Sequence, residues 1–205
     1  MQIKGYTKMM VYLISDMREF CDQLDMKEIE PFKMWLSHMG KGGLNNIKGP
    51  ADLVSEIKKY RKQGYSDSWI ELRLRNKEIH KGLVNEWTQH GAQSGVDYIT
   101  LTDDVLEGWS GMRTADYKDY KSLNGKDGSL RDNMTRWELF FSSLAEQLAK
   151  DVLYEKKYEG FSRTRDISYK GGERAKAVRN EYETKLKRRI MTSLTLKKFK
   201  ENNLH

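Results

Sequence analysis

Apolar positions hold a helical rhythm longest between Leu130 and Leu153. Trp137, Phe141, Leu144, Leu148 and Val152 recur at spacings of three and four, which puts them on one face of an α-helix. Leu139, Phe140, Ala145 and Ala149 widen that face until little of its early turns is left for water. A helix apolar nearly all round belongs inside a domain. Just before it, Thr135-Arg136-Trp137-Glu138 has the form of a capping box, in which hydroxyl and carboxylate each take the other residue's amide. The pattern predicts a central helix over about 135–157, with the other elements packed around it.

The remaining segments read as shorter helices. Asp16 is placed to cap a helix to about Met26, and Pro31 suits the first turn of another that ends at Gly40, Gly42 and Gly43. Pro50 starts a helix with Leu53, Ile57 and Tyr60 as its stripe, closed by Gly64. Ser66 can cap a longer helix to about His90, with Trp69, Leu72, Ile79, Leu83 and Trp87 on one side. Arg73, Arg75, Lys77, Lys81 and Glu86 occupy the other side. Tyr98-Ile99-Thr100-Leu101 has the β-branched and aromatic content of a short strand, expected over 97–101. Thr102 and Thr114 are then expected to open short helices, and Asn124–Ser129 a loop. A last polar helix, broken or kinked at Gly171-Gly172, runs to about Met191, and the terminal LTLKKFKENNLH is expected to fray.

The fold class expected is therefore mainly α, a compact multi-helix domain. It occupies residues 30–205, after a short N-terminal segment of residues 1–29. With 38% hydrophobic and 33% charged residues and only two prolines, composition favours a helical, surface-rich protein over an all-β one. The single cysteine, Cys21, cannot form an intrachain disulfide, which suits a reducing, cytoplasmic setting. The apolar run Met9–Ile14 is far too short to span a membrane.

Charge is unevenly placed. Residues 150–205 hold sixteen Lys or Arg against eight Asp or Glu, while residues 1–149 hold twenty-one against twenty-two. The basic residues of the last helix are Arg163, Arg165, Lys170, Arg174, Lys176, Arg179, Lys185, Lys187, Arg188 and Arg189. Such a face suits nucleic acid, DNA or RNA, or an acidic partner protein. Tyr169 and Tyr182, interleaved with the cations, are candidate anchors for stacking or docking. The alternative is that the tyrosines dock the helix on the core while the charges face water.

No catalytic motif emerges. The four histidines, His38, His80, His90 and His205, include no pair at metal-site spacing, and no phosphate loop, Rossmann fingerprint or nucleophile elbow is present. The expectation is a protein without enzymatic activity, metal or cofactor. His90, before a helix-ending glycine, is suited to the carbonyl end of its helix.

Several stretches resemble one family. EPFKMWLSHMG (Glu30–Gly40), GYSDSWIELRLRNKEIHKGLVNEW (Gly64–Trp87), DYITLTDDV (Asp97–Val105), LRDNMTRWELFFSSLAE (Leu130–Glu146) and YKGGERAKAVRNEYE (Tyr169–Glu183) are similar to the C-terminal region of phage and prophage BRO-family proteins, often called antirepressors. The same region is similar to the C-terminal part of DNA-damage-inducible protein D. The resemblance covers about residues 30–190, and fewer than thirty residues stand where the BRO-N domain usually precedes this region. It implies a mobile-element regulator that binds a repressor or modulates the host DNA-damage response through a recombinase; an inhibitor of a nucleic-acid-bound host defence complex would have the same compact, helical, charged profile. The resemblance carries no catalytic residues onto this chain.

Overall fold

A computed structural model describes residues 50–123, 128–155 and 160–195. The helices expected near Asp16 and Pro31, the glycine loop at 40–43, the boundary near residue 30, residues 124–127 of the expected loop and the residues beyond 195 lie outside them. The architecture is mainly helical: six α-helices, one 3-10 turn and no strand among the described residues. The helices are α1 (Pro50–Lys62), α2 (Asp67–Gln89), α3 (Gly95–Ser110), α4 (Thr114–Tyr120), α5 (Arg136–Glu155) and α6 (Phe161–Leu186), with the 3-10 turn at Leu130–Asn133 before α5. The chain divides into two compact units, Met1–Glu71 and Leu72–His205.

In the first unit, the turn after α1 reaches Gly64, which adopts a left-handed φ of +82°. The Ser66 hydroxyl accepts the Trp69 amide (3.4 Å), as expected of a helix cap. Tyr65 stacks on Trp69 (centroids 4.0 Å), and Tyr60 meets the Trp69 ring edge-on at 5.2 Å. These rings, with the Arg61–Asp67 ion pair (2.8 Å), hold the turn between α1 and the start of α2.

The second unit is built on α3, α5 and α6, with α6 packed along both others. α5 begins as expected. The Thr135 amide donates to Glu138 Oε2 (2.6 Å) and the Glu138 amide to Thr135 Oγ1 (3.3 Å). Leu139, Phe140, Phe141, Leu144, Ala145, Leu148, Ala149 and Leu153 are buried along it.

Three expectations fail, each for a physical reason. The residues expected as a strand at 97–101 lie inside α3, and Thr102, expected as a cap, lies in its interior. The start is set upstream by a capping box between Ser94 and Asp97. The amides of Gln93 and Ser94 hold the Asp97 carboxyl below its ordinary range. Inside the helix, Thr100 and Thr102 satisfy their hydroxyls on the Val96 and Tyr98 carbonyls, so strand-like composition carries no decisive penalty.

Gly171-Gly172 does not interrupt the last helix, which runs unbroken through both. A Cβ on Gly172 would meet the Val105 carbonyl oxygen at 2.5 Å and Gly108 Cα at 2.7 Å, and one on Gly171 would meet Ala149 Cβ at 2.6 Å. The glycines let the backbones of α3 and α5 approach α6. That contact offsets a propensity cost of about 1 kcal/mol per glycine.

Candidate functional site

The basic residues of the last helix separate into groups with different chemistry. Arg165 is tied to Asp104 by two bonds, Nε at 2.7 Å and Nη2 at 3.0 Å. Arg163 and Lys170 lie beside Asp166 at 3.9 and 2.9 Å, and Lys185 beside Glu181 at 3.5 Å. Arg174 and Lys176 have no acidic partner among the described residues. Arg179 is buried: its Nη1 donates to the Trp109 carbonyl (2.7 Å), and burial holds its pKa below the ordinary value despite Glu183. The basic face is thus interrupted, and Arg179 serves packing.

The two candidate anchors also part. Tyr169 is exposed on α6. Tyr182 is buried, its ring 4.7 Å from Trp137 and 6.3 Å from Phe141, and burial raises its pKa. It anchors α6 to α5 and is closed to a partner.

Besides Arg174, Lys176 and Tyr169, what remains is a basic turn. Lys187, in the left-handed conformation (φ 50°), ends α6, and Arg188 and Arg189 follow, all exposed. The Lys187 and Arg188 amides donate to the Glu183 carbonyl, and the Ile190 amide donates to Glu183 Oε1 at 2.7 Å. Ile190 is buried, so the turn is pinned on both sides of its cations. Together with Arg179 and Tyr120, it borders a depression of about 460 Å³. Tyr120 and Leu186 are among the exposed large apolar side chains.

A second cationic surface was only half legible in the sequence. Arg73, Lys77 and Lys81 of α2, Lys118 of α4 and Arg131 of the 3-10 turn line a groove of about 420 Å³, and no Asp or Glu lines it among the described residues. The first three follow an i, i+4, i+8 spacing that a sequence reader can see. The other two come from distant segments, and no local signal announces them.

This groove rests on a buried polar cluster. Glu146 accepts from Arg131 Nη2, from His80 Nδ1 (3.0 Å) and from Asn76 Nδ2 (3.4 Å). Asn76 also donates to Ser143 Oγ (3.1 Å), while Arg73 donates to Asp132 (2.7 Å) and to Asn76 Oδ1 (3.3 Å). Burial works to raise the Glu146 pKa, but Arg131 and His80 outweigh it and hold the carboxyl below its ordinary value. His90 behaves as the sequence suggested, its Nδ1 donating to the Glu86 carbonyl (2.8 Å) at the end of α2.

A further polar centre lies in the core. Glu138 Oε2 is 2.9 Å from Lys121 Nζ, and Oε1 accepts from the Tyr117 hydroxyl (2.9 Å) and the Thr192 amide (3.1 Å). Lys121 also donates to the Thr192 and Leu194 carbonyls, both at 3.0 Å. Burial lowers the Lys121 pKa against the pull of Glu138, and raises that of Tyr117 well above its ordinary value. The centre ties the segment after α6 to α4 and α5.

Among the described residues no group of three or more His, Cys, Asp or Glu is placed to hold a metal ion, and no helix is long and apolar enough to cross a membrane. Compared with protein-family models and with curated proteins, the chain matches none.

Proposed function

We propose that the chain is a non-enzymatic, cytoplasmic regulatory protein of a phage or mobile element that acts by binding a host or phage protein. The carrying observation is the basic turn after α6. It presents Lys187, Arg188 and Arg189 on a backbone fixed by Glu183 and Ile190, with Tyr120 and Leu186 exposed. Arginine and tyrosine are the residue types that dominate protein interfaces, and a pinned turn loses little freedom on docking. The partner surface is then acidic, with an apolar contact for the tyrosine. The resemblance to the C-terminal region of antirepressors and of DNA-damage-inducible protein D supplies the regulatory context.

The test is affinity capture from nuclease-treated host lysate, comparing the chain with its Lys187→Glu/Arg188→Glu/Arg189→Glu variant. The expected result is a discrete protein held by the first, insensitive to nuclease and lost with the second. Capture that survives the triple reversal, or that disappears with nuclease, would overturn the reading.

A further inference from the structure

We propose that the groove between α2, α4 and the 3-10 turn binds the phosphate backbone of a nucleic-acid strand, without reading its bases. The arrangement of charge carries this. Arg73, Lys77 and Lys81 recur every four residues, so they climb α2 in steps of about 6 Å, with Lys118 and Arg131 also on the groove wall. A row of cations suits a chain of phosphates better than one isolated anion. Setting Asp132 and Glu146 against Arg73 and Arg131 still leaves Lys81 and Lys118 without an acidic partner among the described residues.

The lining chemistry points the same way. Ser129 adds a hydroxyl that can donate to a phosphate oxygen, while the Thr102 and Thr114 hydroxyls already donate to the Tyr98 carbonyl and to Asp103 Oδ1. No tyrosine, tryptophan or phenylalanine lines the groove, and its one imidazole, His80, is bonded to Glu146, so no large ring is offered for a base to stack on. The basic turn differs on this point, since Tyr120 borders its depression. The groove's polar floor is also built in advance. Glu146, shut off from solvent, holds Arg131 through one guanidinium nitrogen, and the other two carry no bond among the described residues. Arg131 is thereby fixed with donors to spare, which lowers the ordering cost of gripping a phosphate.

The test is a fluorescence-anisotropy titration of short labelled single- and double-stranded DNA and RNA of mixed sequence, across a series of salt concentrations. The chain, its Lys81→Gln/Lys118→Gln variant and its Lys187→Gln/Arg188→Gln/Arg189→Gln variant are compared. Binding of the unaltered chain is expected to weaken steeply with salt and to be indifferent to base sequence. For a single strand, the groove variant should lose about 1.4 from the slope of log affinity against log salt, about 0.7 for each lost contact, and about tenfold in affinity at low salt. The turn variant should bind as the unaltered chain does. Lys81→Gln alone, at an exposed position, should lose half of that slope, which keeps the test open if the double variant folds poorly.

Absence of binding at low salt, or a slope unchanged by the groove variant, would overturn the proposal. So would a loss confined to the turn variant, or displacement of the strand by tripolyphosphate at matched phosphate concentration. Protein capture through the turn is scored separately, so either site can fail without the other.

Discussion

Glu138 and Glu146 lie eight residues apart on α5, and both side chains are closed to solvent, at 0% and 1% accessible. Their partners differ. Glu138 faces Lys121, whose side chain is also at 0%, together with Tyr117 and the Thr192 amide. Glu146 faces Arg131 at 16% and His80 at 29%, both at the edge of an open groove. The first carboxylate closes a core; the second braces cations that water can still reach. Burial of an acid therefore says little about its role until the exposure of its partners is known.

The largest effect is expected at Lys121. Replacing it with methionine leaves the Glu138 charge buried without its cation, and the Thr192 and Leu194 carbonyls without their donor. A loss of about 3–5 kcal/mol in urea unfolding is expected. Adding Glu138→Leu should restore part of that loss, because two apolar side chains leave no orphaned charge. If the double variant is no better than the single, Glu138 is not the partner that matters.

Acid sharpens the contrast. The Glu146 carboxyl is held below its ordinary value of 4.5, so fewer protons bind there in the folded chain than in the unfolded one. Its contribution is full above pH 4.5 and is lost as pH falls through the lower folded value. The stability gap between the unaltered chain and Glu146→Gln should therefore narrow through that window. A gap that stays constant would mean the charge on Glu146 is not what stabilises.

The smallest effect is expected at the basic turn. Lys187→Glu/Arg188→Glu/Arg189→Glu alters only exposed side chains, since the pinning bonds come from backbone amides. Thermal unfolding should shift by no more than about 0.5 kcal/mol per position, while partner capture is lost. A large destabilisation would make the turn part of the fold's support.

Much of this fold was legible in the sequence. The capping box at Thr135 and Glu138, the apolar face of α5, the Ser66 cap and the role of His90 all follow from local rules. Where reading failed, contacts between distant segments had decided the outcome. Tyr98–Leu101 look like a strand until the Ser94–Asp97 cap and the packing of α3 on α6 are known. Gly171-Gly172 look like a break because their benefit, a close approach of α3 and α5, lies in other helices. Lys121 gives no sign of its burial, because its acceptors come from Glu138 and from residues after α6. Of the candidate site, the turn at Lys187–Arg189 was in the sequence-derived set, and the groove was seen only as a basic side of α2. Lys118 and Arg131 reach that groove through the tertiary fold.

The most direct measurement is urea unfolding of Glu138→Gln and Glu146→Gln side by side at neutral pH. Glu138→Gln strands an ammonium that water cannot reach and should cost about 3–5 kcal/mol. Glu146→Gln frees Arg131 and His80 to hydrate and should cost about 1–3 kcal/mol. Equal losses, or a greater loss at Glu146, would contradict the division between a carboxylate that closes the core and one that braces the groove.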